Sequence, residues 1–203
     1  MALAYLLGKA SAKPLKVNIN IPLILVLSII PDIDILAGVD EIHRGPTHSA
    51  IAAVLVFIPF FVVYRRRAVP YFLALVSHGL IGDLLIGGDI QLLWPITTQN
   101  ISLPSVIPYI SIFSLANLIL ELTLFMFATV IMLKTKDLLT FFQNHTSNLV
   151  LAIPIFTVLL PTFVGFPFMA PLLITLPFLG LAHLFYLVLF SASILTVILR
   201  RQK

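Results

Sequence analysis

Residues 106–133 read VIPYISIFSLANLILELTLFMFATVIML, twenty-eight residues with one charged side chain, Glu121. An α-helix rises about 1.5 Å per residue, so about 20 apolar residues cross the roughly 30 Å hydrocarbon layer of a bilayer. This stretch exceeds that length. Outward from it lie further apolar segments at 19–37, 48–64, 69–86, 149–165 and 168–199, divided by basic or Pro/Asn-rich punctuation. The chain of 203 residues is 60% hydrophobic and 10% charged, with mean hydropathy +1.13. Soluble domains carry about 25% charged and about 45–50% apolar residues. A soluble core of this size buries only about 70% of the unfolded surface, so lipid must be part of the solvent.

The expected fold is all-α: a polytopic integral membrane helical bundle in the cell membrane, forming a single domain over 1–203. About six long spans are expected, plus a short N-terminal helix over 1–12, apolar at Leu3, Leu6 and Leu7. Residues 1–100 carry the motifs of a candidate metal site, and 101–203 supply further transmembrane helices. Ala2 to Leu7 is too short, and lacks the basic start, for a cleavable signal peptide. Without cysteine, disulfides and thiolate metal sites are excluded. The net charge of +4 is modest and sits at segment ends, which suits membrane orientation and not nucleic-acid binding.

Four basic clusters agree on one orientation: Lys9, Lys13 and Lys16; Arg65 to Arg67; Lys134 and Lys136; Arg200, Arg201 and Lys203. With the Arg triplet inside, the N- and C-terminal basic segments are cytoplasmic. The acidic and histidine-rich stretches then share the opposite face, where Trp94 and Tyr109 suit an aromatic belt.

Those stretches carry the chemistry. Pro31-Asp32-Ile33-Asp34 places two carboxylates at a span end, where Pro31 breaks the helix and frees both to turn towards one point. His43-Arg44-Gly45-Pro46-Thr47-His48-Ser49 follows after a short loop. Pro46 argues against continuous helix, and Thr47 is the expected N-cap of the next one. The positive end of that helix favours an anion such as phosphate, and Arg44 could add a bidentate contact. Two Asp and two His form a mixed O/N ligand set suited to zinc, manganese or iron. The plainer alternative is a loop of acids and bases paired for solubility, although ionisable groups near membrane depth are costly and commonly functional.

Ser77-His78-Gly79-Leu80-Ile81-Gly82-Asp83 adds a third element inside an apolar span. On a regular helix His78 and Asp83 point about 140° apart. They share a face only if the helix ends or deforms, which Gly79 and Gly82 permit. Asp83 could bind metal or orient a ligand histidine from behind. Glu121 and His183 fall near the middle of their spans and could form a buried pair or part of a proton path. Asp40 and Glu41 read as solvated neighbours and spare ligands of the His43 loop, and His145 as an ordinary loop histidine.

At these residues the sequence resembles the YdjM-like, LexA-regulated inner-membrane proteins regarded as metal-dependent hydrolases. The family pattern is Pro-Asp-x-Asp at a helix end, His-Arg-Gly-x-Thr-His-Ser, a Ser-His helix with a downstream Asp, and Leu-Trp-Pro, here Leu93-Trp94-Pro95. The resemblance covers residues 1–100 and implies a metal site of Asp32, Asp34, His43, His48, His78 and Asp83. Two features depart from it. Members often space the Ser-His pair and the Asp by one residue fewer, and many carry a histidine in the first helix, near the place where Tyr5 stands here.

The expected function is a metal-dependent hydrolase at the extracytoplasmic membrane boundary, acting on a phosphoester or lipid-like substrate with zinc or manganese as the divalent ion. Asp34 or Asp83 would act as base, with Arg44 in the catalytic set and Arg44, Thr47 and Ser49 binding substrate. The bilayer is the expected partner, and nucleic acid is not. The alternatives are a metal-binding or ion-transport membrane protein without hydrolase activity, and a scaffold with one closed structural metal, which four protein ligands would complete.

Overall fold

The computed structural model describes residues 1–37, 44–84, 86, 89–101, 113–166 and 169–201. Among them every regular element is helical, with an isolated bridge between Ile90 and Ile101. His43, Asp40, Glu41, Tyr109 and Lys203 lie outside the described residues.

Helix α1 (Ala2–Leu15) buries Ala4, Tyr5, Gly8 and Ala12, the recurring positions of one helical face. It lies inside the bundle, packed most extensively against α4. Helix α2 (Ile21–Leu27) starts where the Asn20 side chain accepts from the Leu23 amide, with Pro22 in the first turn. At Pro31 the chain winds more tightly, as a 3-10 helix over Ile30–Ala37 that carries Asp32 and Asp34. Helix α3 (Ala50–Tyr64) is capped by Ser49, which accepts from the Ala52 amide. Thr47 is therefore not the N-cap; it sits within a 3-10 turn, Pro46–His48. Helix α4 (Val69–Ser77) runs on as a π-helical turn, His78–Asp83. Helix α5 (Leu115–Lys134), the composite helix α6 (Thr146–Val164) and α7 (Pro177–Arg201) complete the bundle.

Three of these, α5, α6 and α7, are long and apolar enough to cross a bilayer, fewer than the six long spans expected. The other apolar segments divide into short pieces. α3 has 15 residues, about 22 Å at 1.5 Å per residue, below the roughly 30 Å of a bilayer core. α2 and α4 have 7 and 9 residues before their winding changes. The cause lies in single residues: Pro31 ends one run, and the turn at Pro46 and Ser49 delays the next. Hydropathy sums are blind to both. The outward side of α3 is still apolar, with Val54, Leu55, Val56, Ile58, Val62 and Val63 exposed, as a lipid-facing surface requires.

The main core gathers Tyr5, Leu25, Met132, Phe141, Leu151, Leu159 and Phe190 from six elements. A second joins α3 to α4, where Phe72 meets Phe57 and Phe61 at ring-centroid distances of 5.5 and 5.3 Å. Since α3 leaves the His48 turn and α4 returns to His78, Arg65–Arg67 lie at the opposite end, about a 15-residue helix away.

At that basic end Asp137 is held between elements far apart in sequence. It accepts from the Tyr5 hydroxyl at 2.7 Å, the Thr135 hydroxyl at 2.7 Å and Lys9 Nζ at 2.9 Å. This ties α1 to the turn after α5. Burial alone would raise the Asp137 pKa, but the bonds from Lys9, Tyr5 and Thr135 and the Lys9 charge outweigh it and hold the carboxyl below its ordinary range. A depressed carboxylate contributes stability that is present above its unfolded pKa, about 3.9, and lost as pH falls through the folded value. Asp137→Asn is expected to lower stability by about 1–3 kcal/mol at pH 7, since charged hydrogen bonds are lost. In thermal melts of the protein in detergent, the gap from wild type should narrow as the pH drops below about 4. A gap that stays constant down to pH 3 would show that Asp137 does not work through its charge.

Candidate metal centre

Three short, broken elements meet at the end of the bundle opposite the Arg triplet. Asp32 comes from the 3-10 turn after α2, His48 from the turn before α3, and His78 from the end of α4. One donor atom from each lies within 4.8 Å of the others, so the three could hold a metal ion. Asp83 Oδ2 lies beside the two histidines without belonging to that group. His78 Nε2 is 3.0 Å from Asp32 Oδ1 and 3.3 Å from Asp83 Oδ2. His48 Nε2 is 3.5 Å from Asp32 Oδ1 and 3.4 Å from Asp83 Oδ2. Ligands bound to one cation at about 2.0–2.1 Å lie about 3.3 Å apart in a tetrahedron and about 2.9 Å apart in an octahedron. The two distances from His78, 3.0 and 3.3 Å, fall in that range, and the two from His48, 3.5 and 3.4 Å, lie just above it. His78 Nε2 and Asp83 Oδ2 are buried with no hydrogen-bond partner, although each lies within ion-pair distance of the cluster. Buried imidazole nitrogens and carboxylate oxygens converging in this way suit a cation between them.

The π-helical turn explains how His78 and Asp83 meet. A π-helix bonds residues five apart, so positions i and i+5 lie nearly one above the other and not 140° apart. Gly79 lets this turn approach the His48 turn of the centre. A Cβ at Gly79 would stand 2.7 Å from the His48 carbonyl oxygen, closer than any real contact. At Gly82 the nearest atom would be 3.8 Å away, an ordinary distance.

Neighbouring residues fix the ligands' orientation. The Thr47 hydroxyl donates to Asp34 Oδ2 at 2.7 Å, and His48 Nδ1 lies 3.0 Å from the same hydroxyl and 3.4 Å from Asp34 Oδ2. With the Nδ1 proton directed at this pair, Nε2 keeps its lone pair for the centre, the usual arrangement of a metal-ligating histidine backed by a carboxylate. Arg44 Nε stands 3.7 Å from Asp83 Oδ1, the oxygen turned away from the histidines. Arg44 itself has φ 66°, a left-handed conformation uncommon outside glycine.

Sequence reasoning named these residues but not the strap that holds them. Gln91 N donates to the Arg44 carbonyl at 3.0 Å, and Ala50 N to the Leu92 carbonyl at 3.0 Å. The Ser49 hydroxyl, besides capping α3, donates towards the Leu92 and Trp94 carbonyls at 3.1 and 2.6 Å. Ser49 is thus engaged within the protein. The Leu93-Trp94-Pro95 motif was the visible signal of this strap. His145 pairs with Gln143 on an exposed turn, away from the centre. Glu121 and His183 do not pair among the described residues: His183 Nδ1 meets Thr162 Oγ1 at 3.2 Å, and Glu121 is exposed.

Fold and centre together define an all-helical membrane protein with a histidine–carboxylate cluster at one end of its bundle. The chain belongs to the YdjM inner membrane protein family, whose sequence profile matches residues 1–171. The match thus extends well beyond the 1–100 region that carries the motifs. No curated protein and no solved structure matches the chain.

Five substitutions separate a bound metal from an ordinary ion-pair cluster. Gly79→Ala forces a Cβ against backbone at an overpacking cost of about 1–3 kcal/mol and should displace His48. Elemental analysis is expected to show metal lost in Gly79→Ala, His48→Ala and His78→Ala and retained in Gly82→Ala and His145→Ala. Equal metal in all five variants would remove the centre from consideration.

Proposed function

We propose that the protein is a membrane-bound metal-dependent hydrolase acting on a phosphoester. The observation that carries this reading is the meeting of two imidazole nitrogens and the Asp32 carboxylate within 4.8 Å of one another, with the Asp83 carboxylate against both histidines and the Arg44 guanidinium beside it. Asp32, His48, His78 and Asp83 would hold the ion, and the nitrogen–oxygen set suits zinc or manganese. His43, in the same motif, is a further candidate ligand. A divalent cation supplies charge stabilisation for the scissile group and a water acidic enough to be deprotonated near neutral pH.

The chain's own residues divide the remaining work. Asp34 and Thr47 hold His48 in the tautomer that leaves Nε2 available. Arg44 steadies Asp83 and turns its planar fork to the anionic oxygens of the substrate, a geometry lysine cannot copy. Asp34, or Asp83 where it is not committed to the ion, would accept the proton of the attacking water while the P–O bond to the alcohol breaks and the departing alcohol takes a proton from solvent.

The same reading places the centre on the extracytoplasmic side, because the basic clusters favour the cytoplasmic one. The cysteine-free chain allows a direct test. Ile96→Cys, at the exposed tip of the strap, should react with an impermeant thiol reagent in intact cells, and Arg66→Cys only after permeabilisation. Reaction of both from one side would overturn the orientation. For activity, zinc- or manganese-loaded protein is expected to cleave bis-p-nitrophenyl phosphate. Arg44→Lys should keep its metal but lose about 10- to 100-fold in kcat/KM, the loss of one charged transition-state contact. Unchanged kinetics would refute the role given to Arg44, and inactivity of the metal-loaded wild type on phosphomonoesters and phosphodiesters alike would refute the hydrolase.

A further inference from the structure

At the basic end of the bundle two packed elements carry five exposed cations and no acid. Helix α1 closes with Lys13 and Lys16, and α3 ends in the turn Arg65–Arg67, all five exposed. α1 packs against that turn. The Tyr71 hydroxyl accepts from the Asn20 amide at 2.8 Å, which holds the link after Lys16 against the start of α4. Ala68 and Pro70, both buried, anchor the Arg turn from its other side. Residues 1–31 and 49–82 contain no Asp or Glu. Asp137, the one acid among the described residues of this end, is bonded to Lys9. Among the described residues none of the five cations makes an ion pair. Lys16 and Arg65 also have positive φ, 52° and 51°. Each stands directly after a helix end, where glycine is the least strained residue, yet a cation occupies both places. Helix dipoles draw a cation to such an end, but that attraction does not account for three arginines in a row. Like charges on packed elements repel one another, and an anion among them relieves the repulsion.

We propose that Lys13, Lys16 and Arg65–Arg67 form a seat for the phosphate head of an anionic phospholipid. The border of the patch decides the partner. Val62, Val63 and Tyr64, immediately before Arg65, are 71%, 69% and 54% exposed. A lipid-facing surface thus runs straight into guanidinium groups, the order in which a phospholipid presents its acyl chains and its phosphate. A nucleic acid would engage the cations alone and gain nothing from that apolar border. Arginine suits the phosphate because its planar fork donates two parallel bonds. The seat lies the length of α3 away from the Asp32–His48–His78 group, so it does not depend on hydrolysis there.

The test titrates the full-length protein in detergent micelles with phosphatidylglycerol, or with phosphatidylcholine of the same acyl chains, and reads the lipid retained by native mass spectrometry. Phosphatidylglycerol is expected to bind the more tightly of the two. Arg66→Gln/Arg67→Gln should weaken its binding about thirtyfold, as the loss of two cations beside an anionic head implies, and leave phosphatidylcholine unchanged. Lys13→Gln/Lys16→Gln, on the other element of the seat, should act in the same direction. Arg200→Gln/Arg201→Gln removes the same charge from the end of α7 and should leave binding within about twofold of wild type. Thermal melts without added lipid, unchanged from wild type, show that these exposed substitutions leave the fold intact. Equal retention of the two lipids would overturn the proposal. So would an equal loss from the Arg66/Arg67 and Arg200/Arg201 pairs, which marks diffuse charge and not a seat. Inorganic phosphate or a short single-stranded DNA displacing phosphatidylglycerol from the patch at equal concentration would also overturn it, because the apolar border would then contribute nothing.

Discussion

Gly79 rests against the carbonyl of His48, and the arrangement of the centre depends on that contact. The two helices around it are short, so their register is set less by length than by how closely their backbones approach. Any side chain at Gly79 would hold the α4 end away from the His48 turn by several tenths of an ångström. The distances of 3.3–3.5 Å between the histidine nitrogens and the carboxylates would then open. The π-helical turn that begins at His78 acts in the same direction, bringing Asp83 beneath His78. A glycine contact and an over-wide turn thus do what a regular span could not: they bring ligands from three separate stretches to one point.

Much of this was legible in the sequence. The three clusters of ligand types stood out because carboxylates and imidazoles are rare in a chain with 10% charged residues. The membrane setting followed from hydropathy alone. The element lengths did not, because hydropathy averages over the proline and glycine positions that end a helix. Pro31 and Ser49 cut apolar runs that otherwise score as spans. The cap was misplaced by two residues for a related reason. Thr47 and Ser49 are equally good caps by type. Only the tertiary position of Asp34, which takes the Thr47 hydroxyl, decides between them. Glu121 and His183 matched in depth along their helices, yet a one-dimensional reading carries no azimuth, and His183 faces Thr162 instead.

The charged residues fall into two groups with different work. At the basic end Lys9 and Asp137 neutralise one another, supported by two hydroxyls, and fasten α1 to the rest. No spare valence remains there for a ligand. At the other end negative and neutral donors outnumber local cations, with Arg44 the one guanidinium at the cluster. A group of acids brought this close repels itself unless positive charge lies among it. The histidines can supply that charge only by protonation, which would remove the lone pairs that face the centre. A divalent ion at the Asp32–His48–His78 group would resolve both demands at once.

The long helices and the broken ones also divide by position in the chain. Spans α5 to α7 occupy the second half and pack on one another through large side chains such as Phe125, Phe185 and Tyr186. The first half is made of short helices joined by tight turns, and every described donor of the centre comes from a helix end there. In hydrocarbon an interrupted helix exposes backbone groups that lipid cannot satisfy, so interruptions survive only where protein or a polar cavity meets them. Here the strap over residues 90–101 does so, taking the Ala50 amide and the Ser49 hydroxyl and giving an amide to Arg44. The long helices therefore act as the wall against which the broken half can be assembled. The strap closes the polar gap that those breaks create, and the ligands project from the helix ends beneath it.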